Sequence, residues 1–231
     1  MSQKFTILFD LDGTLVNTAP DLMHAHNHVM KKYGYGERKL SDIRRLVGRG
    51  SKVMLTRSMN ELAELQGKTK KSEDVIDAMT KEFIDYYSKN IVAESTLKEG
   101  VLDFLTWCKK KSILMGVCTN KQEHLSIDLL KKIKIYDFFH YVAGGNTFDY
   151  NKPDPRHLTS VIEIIGGDNK KSLMIGDSET DSNSAKAAHI PFVLIEDGYT
   201  EKKVNEIHYD HLIKDFTDLK KIIIKYINDW I

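Results

Sequence analysis

Residues 5–14 read FTILF-DLDGT, and this stretch decides the fold. Its first half is a mostly apolar run without alternation, which is typical of a parallel strand covered on both faces. Acidic and small residues begin abruptly where that strand would end. Open α/β sheets bind their ligands at the carboxyl ends of the strands. The stretch therefore predicts a buried strand and a polar site directly after it.

Four further apolar runs and several helical patterns alternate along the rest of the chain. The strand candidates are Ile113–Cys118, Tyr141–Ala143, Ser172–Ile175 and Phe192–Ile195. The helix candidates are Val101–Lys111, Glu123–Lys132, Pro155–Ile165, Asp181–Ala188 and an amphipathic closing helix, Phe216–Ile231. This alternation predicts an α/β fold with an open parallel sheet and helices on both faces.

The region between the first two strand candidates has a different pattern. From Thr18 to about Ile91 no strand is evident, and four helices are predicted: Pro20–Tyr33, Ser41–Val47, Ser51–Gln66 and Ser72–Asn90. Thr18 and Asp21 have the spacing of a capping box, and Pro20 suits a first helical turn. A connection this long requires a domain of its own. We expect a core formed by residues 1–16 and 98–231, with an inserted all-helical domain, residues 17–97.

Composition and charge exclude several classes of protein. The 231 residues include 34 basic and 33 acidic ones, for a net charge of +1, whereas nucleic-acid binders usually carry a basic excess. No stretch approaches the ~20 apolar residues that a membrane span needs, and no signal peptide is evident. Two cysteines do not make a disulfide framework. These features predict a cytoplasmic protein that binds neither nucleic acid nor membrane.

Polar residues recur after the next three strand candidates, as they do after the first. Thr119 and Asn120 follow the second run, Lys152 comes after the third, and Asp177 and Asp181 follow the fourth. Each piece alone is weak, since Thr119-Asn120 would suit a turn and Asp181 a helix N-cap. Their fixed order at successive strand ends is the signal, because context is what confirms a motif.

These residue types match the requirements of phosphoryl transfer, which needs a nucleophile, cations on the phosphoryl oxygens and a proton carrier. Asp10 can form an aspartyl-phosphate. Asp10 and Asp177 can hold Mg²⁺, which prefers carboxylate oxygens and water. The Thr119 hydroxyl and Lys152 can bind phosphoryl oxygens. In extended backbone Asp12 points to the same side as Asp10, which suits a general acid–base beside the nucleophile.

The four motifs resemble those of the haloacid dehalogenase superfamily over nearly the whole chain. The resemblance implies a Rossmann-like sheet with a helical cap inserted after the first motif. It also implies that Asp10 is the nucleophile and that Asp12 is the acid–base, whose backbone carbonyl also binds magnesium. The remaining motif residues would be Thr119 and Lys152, beside the phosphoryl group with Asn120, and the metal-binding Asp177 and Asp181.

The second aspartate separates the branches of that superfamily. Its dehalogenases and phosphonate-cleaving members lack Asp at the position of Asp12, and its ion pumps have Thr there. The resemblance thus implies a phosphatase or a phosphomutase. Residues 10–22, 44–50 and 176–191 are very similar to the bacterial phosphoglycolate phosphatase group. That likeness implies 2-phosphoglycolate as the substrate and glycolate as the product.

Two features depart from the pattern of that group. Lys98-Glu99 stands where relatives commonly have Pro-Gly, and Arg49 replaces a His or Asn between two glycines. Arg49, with Arg45 nearby, would reach a substrate carboxylate when the cap closes. The alternative is two solvated arginines at a helix end. His24 and His28 share a helix face, but without a third ligand they indicate an exposed surface rather than a zinc site.

Other functions remain open on the same residues. Relatives with the same core hydrolyse pyrophosphate, sugar phosphates or nucleotides. A β-phosphoglucomutase-type enzyme also has the same motifs and cap. A phospho-receiver switch also combines acids, Thr and Lys after parallel strands, although its acidic pair comes first and it has no cap. The expected partner is a small phosphorylated metabolite, and the expected assembly is a monomer or homodimer.

Overall fold

The computed structural model describes residues 4–229, and its main sheet has six parallel strands in the order β5-β4-β1-β6-β7-β8. The strands are β1 (Thr6–Phe9), β2 (Val16–Asn17), β3 (Thr96–Leu97), β4 (Leu114–Cys118), β5 (Tyr141–Ala143), β6 (Ser172–Gly176), β7 (Phe192–Ile195) and β8 (His211–Ile213). All five predicted strands are present, each to within one residue at either end. The parallel α/β fold is confirmed.

Nine α-helices lie within the described residues. They are α1 (Ala19–Lys32), α2 (Leu40–Leu46), α3 (Ser51–Leu65), α4 (Glu73–Lys89), α5 (Val101–Lys110), α6 (Glu123–Lys132), α7 (Arg156–Ile164), α8 (Glu179–Ala187) and α9 (Leu219–Asp229). Each corresponds to a predicted helix. No helix in this part of the chain is both long and apolar enough to cross a membrane.

Alternating side chains of the strands contact helices on opposite faces of the sheet. Ile7 and Phe9 belong to a core that includes residues of α5, α6 and α9, whereas Leu8 packs with residues of α7 and α8. A Cβ on Gly116 of β4 would lie 2.7 Å from Val161 of α7, so only glycine allows this helix to pack so closely. Both faces are covered, which explains the continuous apolar runs.

Strands β2 and β3 form a separate antiparallel pair, with Val16 opposite Leu97 and Asn17 opposite Thr96. The chain enters α1–α4 directly after β2 and comes back through β3. We call residues 19–89 the helical segment, because its four helices pack against one another before the chain returns. The pair comprises residues 16–17 and 96–97, and a domain boundary at residues 16–17 and 97–98 stays a prediction.

The predicted capping box at α1 is wrong. Thr18 is the N-cap residue, but its hydroxyl donates to Asp12 Oδ1 at 2.7 Å instead of capping the helix. The Asp21 carboxylate instead accepts hydrogen bonds from the backbone N–H groups of Glu94 and Ser95, each at 2.9 Å. Both side chains therefore make long-range contacts in place of the local ones that their spacing indicated.

The start of the predicted closing helix is also wrong. The helix begins at Leu219 rather than Phe216, because the Asp215 carboxylate accepts a 2.8 Å bond from the Thr217 N–H and forms a turn first. The Phe216 ring is buried against Phe9 and Phe104 instead. The last two residues of the predicted helix, 230 and 231, lie outside the described part of the chain.

Candidate active site

The carboxyl ends of the central strands bring together the residues predicted from their order in the sequence. Asp10 follows β1, and its N–H donates to Ile175 O of β6 at 2.9 Å. Thr119 follows β4, and its N–H donates to Ala143 O of β5 at 3.0 Å. Asp177 directly follows β6. Because the strands are parallel, these side chains meet at one edge of the sheet.

Lys152 joins two of the predicted carboxylates. Its Nζ lies 2.7 Å from Asp10 Oδ1 and 2.5 Å from Asp181 Oδ1, and its side chain is only 1% exposed. Burial alone would lower the pKa of Lys152, but the two carboxylates outweigh burial and raise it. The lysine is therefore held in its charged form beside Asp10.

Asp181 also fixes the start of α8, where Ser178 is the N-cap. The Oδ2 atom of Asp181 accepts hydrogen bonds from Ser178 Oγ at 2.7 Å and from the Ser178 N–H at 3.1 Å. These bonds leave Oδ1 for Lys152. A Cβ on Gly176 would lie 2.5 Å from Asp181 Cγ, so glycine is needed for this approach. Asp181 is thus the N3 residue of the capping box of α8, rather than its N-cap, and it also belongs to the carboxylate cluster.

Three buried carboxylates, those of Asp10, Asp177 and Asp181, each offer one oxygen, and these oxygens lie within 4.8 Å of one another. In residues 4–229 this is the one group of three or more such side chains close enough to hold a metal ion. Burial raises the pKa of Asp10 to about 7, and burial together with Asp10 raises that of Asp177 well above its usual value. Such a set of crowded oxygen ligands suits a hard divalent cation.

Asp177 is held by residues from both halves of the core. Its Oδ1 accepts a bond from the Thr14 hydroxyl at 3.2 Å, and its Oδ2 accepts one from the Tyr199 N–H at 2.6 Å. Gly13 has a φ of +87°, and a Cβ there would lie 2.1 Å from Asp177 Oδ2. Glycine in the DLDGT stretch is therefore required both by backbone conformation and by this close approach.

Asp12 has polar contacts different from those of Asp10. In addition to the Thr18 bond, its Oδ1 and Oδ2 lie 3.0 and 3.2 Å from Lys121 Nζ. The same Nζ donates to the Tyr87 hydroxyl of α4 at 2.8 Å. Asp12 is therefore connected to the helical segment through one lysine.

A cavity of about 50 Å³ opens beside Asp10 and Asp12, between the core and the helical segment. Its wall consists of Asp10, Asp12, Leu22, Val47, Gly48, Gly50, Ser51, Met54, Phe83, Tyr87, Thr119, Asn120, Lys121, Gln122 and Leu125. Asn120 connects the two sides, because its Nδ2 donates to Gly48 O at 3.0 Å and to Lys152 O at 2.9 Å. The Asp10 and Asp12 carboxylates thus face a small, partly open pocket.

The structure does not bring Arg45 and Arg49 to this wall. Arg45 is paired with Glu61 at 2.7 Å and with Glu201 at 3.4 Å, and Arg49 lies 3.4 Å from Glu179. His24 and His28 pair with exposed or partly exposed glutamates on the surface, as expected from their helix face. A role for either arginine in substrate binding therefore stays a prediction that requires these ion pairs to open.

Three residues of the site were missed by the sequence analysis: Lys121, Tyr87 and Tyr199. Lys121 directly follows Thr119-Asn120, so its position after a strand end was a usable signal. Tyr87 and Tyr199 lie in a helix and a loop far along the chain, and no motif surrounds them. Their contacts with Lys121 and Asp177 arise from packing alone.

Comparison with known proteins identifies the family of this fold and site. The family model for haloacid dehalogenase-like hydrolases matches residues 7–195. A phosphoglycolate phosphatase of Mesorhizobium japonicum is 39% identical over 215 residues, covering 92% of each chain. One from Agrobacterium fabrum is 37% identical over 212 residues, covering 92% of this chain and 89% of the relative.

A solved structure agrees with these matches. A crystal structure described as a predicted phosphoglycolate phosphatase from Haemophilus somnus 129PT superposes with a TM-score of 0.90 at 28% identity. The superposition covers 96% of this chain and 99% of the other, so it includes both the sheet and the helical segment. Because the family model matches most of the chain and the four motifs lie together in the structure, the chain belongs to the haloacid dehalogenase-like hydrolase family.

Proposed function

We propose that this protein is a Mg²⁺-dependent cytoplasmic phosphatase that hydrolyses a small phosphorylated metabolite, 2-phosphoglycolate, to glycolate and phosphate. One observation carries the proposal. A buried lysine, Lys152, holds Asp10 at the mouth of a small pocket, beside a cluster of carboxylates suited to a divalent cation. Similarity to phosphoglycolate phosphatases over more than nine-tenths of the chain supports the choice of substrate.

The first step transfers the phosphoryl group to Asp10. A carboxylate oxygen of Asp10 attacks phosphorus, the bond between phosphorus and the ester oxygen breaks, and an aspartyl-phosphate forms. Asp12 faces the same pocket and donates the proton that the departing alkoxide needs. Lys152 and the Thr119 hydroxyl bind phosphoryl oxygens, where negative charge has to be offset.

The second step releases phosphate. Asp12, now ionised, takes a proton from a water molecule as that water attacks phosphorus, and the Asp10–phosphorus bond breaks. Asp12 ends the cycle protonated and Asp10 ends it as a carboxylate, so both residues return to their starting forms. A carboxylate at position 12 is what makes hydrolysis of the intermediate fast.

A magnesium ion would be held by Asp10, Asp177, the backbone carbonyl of Asp12 and, through its support of that cluster, Asp181. When bound, it would screen the repulsion between the Asp10 carboxylate and the phosphate dianion. Thr14, Tyr199 and Ser178 orient these carboxylates through the hydrogen bonds described above. The chain therefore fixes the ligand positions through its own hydrogen bonds.

The apolar part of the pocket lining supports a small leaving group. Leu22, Met54, Phe83 and Leu125 form the apolar part of its wall, which offers no hydrogen bonds to sugar hydroxyls, and Ser51, Asn120 and Gln122 are among its polar residues. A buried hydroxyl without a partner is unfavourable by about 1–3 kcal/mol. We infer from the apolar part of the wall that a two-carbon metabolite suits the pocket better than a hexose phosphate or nucleotide does. The same argument disfavours a β-phosphoglucomutase-type reaction.

We further propose that residues 17–97 act as a cap, which places the loop between α2 and α3 over the site. Substrate entry would then require the segment to move relative to the core, with the β2–β3 pair as the connection. Under this proposal Arg45 and Arg49 approach the substrate only if their present ion pairs with glutamates break. A monomeric or homodimeric assembly remains our expectation.

Phosphate release across a substrate panel tests the proposal. The purified protein would be assayed on 2-phosphoglycolate, pyrophosphate, sugar phosphates and nucleotides, with Mg²⁺ and with a chelator. We expect 2-phosphoglycolate to exceed the others by at least about tenfold in kcat/KM, and chelation to abolish turnover. A different leading substrate would overturn the specific assignment, and an inactive Mg²⁺-loaded protein would overturn the phosphatase proposal itself.

A further inference from the structure

We propose that Lys121 binds the negatively charged part of the leaving group and so selects substrates that carry an anion beside the phosphate ester. This inference rests on the proposed phosphatase function and extends it. It assigns the recognition of the second charge to a core residue directly after Asn120, rather than to the arginines of the helical segment.

The position of Lys121 is fixed from both sides of the pocket. Its Nζ lies 3.0 Å from Asp12 Oδ1 on the core side and 2.8 Å from the Tyr87 hydroxyl on the helical side. The same atom also lies 4.3 Å from the centre of the Tyr87 ring. The side chain is only 5% exposed and lines the pocket. The ammonium group therefore lies inside the cavity rather than in solvent.

The distribution of charge on the wall makes this lysine the receptor for an anion. Of the described residues that line the pocket, Asp10 and Asp12 are the acids and Lys121 is the one lysine or arginine. Lys152 lies behind Asp10, where it is paired with two carboxylates, and Arg45 and Arg49 are paired outside the pocket. A second anionic group that enters this cavity has no other cationic side chain to meet.

An unpaired carboxylate in this cavity would be strongly unfavourable. The remaining lining residues are uncharged, and many of them are apolar, among them Leu22, Phe83 and Leu125. A charge moved from water into such surroundings requires a partner. Beside Lys121 the substrate carboxylate gains a charge-assisted hydrogen bond, which is roughly twice as strong as a neutral one.

Binding there also changes the contacts of Asp12. An ammonium group has three protons, and Lys121 directs them at the two oxygens of Asp12 and at Tyr87. A substrate carboxylate takes over one of the bonds to Asp12 while the Tyr87 bond remains. One Asp12 oxygen then no longer accepts from Lys121, so it carries the proton of the first step and directs it toward the ester oxygen. An anionic leaving group thus frees the group that protonates it.

Two substrates of the same shape separate this role from a general one. The first is 2-phosphoglycolate, and the second is its amide, in which the carboxylate is replaced by a neutral group. Lys121→Met removes the charge, Lys121→Gln keeps a donor toward Asp12 and Tyr87 without the charge, and Lys121→Arg keeps the charge. Lys110→Met, on an exposed lysine of α5, is the matched control.

The measurement is the ratio of kcat/KM for 2-phosphoglycolate to that for the amide. We expect Lys121→Met and Lys121→Gln to lower this ratio by at least about tenfold, mainly through KM, which corresponds to about 1.4 kcal/mol. Lys121→Arg should restore most of the ratio, and Lys110→Met should leave it unchanged. We also expect the Lys121 variants to lose some kcat/KM on both substrates, because Lys121 contacts Asp12.

Two results would overturn the inference while leaving the phosphatase function intact. In the first, both uncharged variants lose activity equally on the two substrates. In the second, Arg49→Ala lowers the ratio and the Lys121 variants do not. If the unaltered protein hydrolyses neither substrate with Mg²⁺, the proposed function fails and the inference fails with it.

Discussion

Two aspartates that are two positions apart have different surroundings, and this difference supports different roles. Asp10 is buried and bonded to Lys152, which suits a nucleophile held at one angle. Asp12 is bonded to Thr18 and Lys121, at the side of the pocket where the leaving group would lie. The DLD sequence predicts both carboxylates, and their different partners support the proposed roles of attack for Asp10 and proton transfer for Asp12.

Asp12→Asn should trap the phosphorylated protein. The amide is unable to take a proton from the attacking water, so the aspartyl-phosphate on Asp10 should persist. Intact-mass measurement after an acid quench should detect a phosphorylated species in this variant during exposure to substrate. Asp10→Asn is the matched control and should show no phosphorylated species. A phosphoenzyme in the Asp10 variant, or its rapid loss in the Asp12 variant, would contradict these roles.

His26 is a buried group whose ionisation affects stability rather than chemistry. Its Nδ1 lies 2.9 Å from Asn27 Oδ1, and its Nε2 lies 2.8 Å from Ser58 Oγ. Burial lowers the pKa of His26 to about 4 from an ordinary value of 6.5. Below pH 6.5 the unfolded chain therefore binds a proton that the folded chain does not, and stability is lost as the pH falls toward 4.

His26→Gln should reduce this sensitivity to acid. In wild-type protein His26 contributes a slope of up to about 1.4 kcal/mol per pH unit to the free energy of unfolding between its two pKa values. Urea unfolding at several pH values in that window should show a shallower fall in the variant. His124→Gln, at an exposed histidine of α6, should keep the wild-type slope. Parallel curves for wild type and His26→Gln would contradict the argument.

At the scale of elements, the connection between the sheet and the helical segment depends on one buried carboxylate. Asp21 of α1 is 1% exposed and accepts bonds from the Glu94 N–H, the Ser95 N–H and the Ser95 hydroxyl, at 2.9, 2.9 and 2.6 Å. These donors lie directly before β3. Asp21 therefore ties the returning chain to the first helix of the segment, next to the β2–β3 pair.

Asp21→Ala should destabilise the protein markedly. Three donors would lose their acceptor, and burying each unsatisfied group costs about 1–3 kcal/mol, although water entry would reduce the total. We expect a loss of about 2–4 kcal/mol in the free energy of unfolding, measured by denaturant titration. Asp149→Ala, at an exposed loop position, should change stability by less than about 0.5 kcal/mol. A similarly small effect at Asp21 would show that these bonds do not hold the connection.

At the scale of the whole molecule, the crowded carboxylates of the candidate site oppose the stability of the fold that contains them. Burial and the neighbouring Asp10 raise the pKa of Asp177 well above its usual value, which shows that its charged form is unfavourable there. Natural proteins commonly tolerate such a cost where function needs it. A bound divalent cation would relieve the repulsion and so stabilise the folded state over the unfolded one.

Magnesium should therefore raise the melting temperature of the protein, and Asp177→Asn should remove that increase. Mass action predicts about 2.7 kcal/mol of added stability when the ion is present at 100 times its dissociation constant. Without magnesium, Asp177→Asn should be at least as stable as wild type, because a neutral amide replaces a crowded carboxylate. Thermal melts with Mg²⁺ and with chelator measure both effects. An equal magnesium shift in both proteins would rule out Asp177 as a ligand.

The sequence by itself determined the sheet and the order of the motifs. Strand β1 and the residues after it were predictable because apolar runs and polar strand ends are local patterns, and parallel strands bring such ends to one edge. Strand β8 was missed because it includes His211 and buries only Ile213 of its three residues, so it lacks an apolar run. The β2–β3 pair was missed because two residues carry no measurable period. The capping box predicted at Thr18 is absent because the Thr18 hydroxyl donates to Asp12 instead of bonding within the first turn of the helix.

Only the tertiary structure decided which charged groups face the pocket. Lys121 and Arg49 are both cations close to a motif in the sequence, yet the lysine lines the cavity and the arginine pairs with Glu179. Tyr87 reaches Lys121 from α4, although the two residues are 34 positions apart in the chain. The direction of a long side chain depends on packing against distant elements, because local sequence fixes the backbone period but not the partner across a pocket.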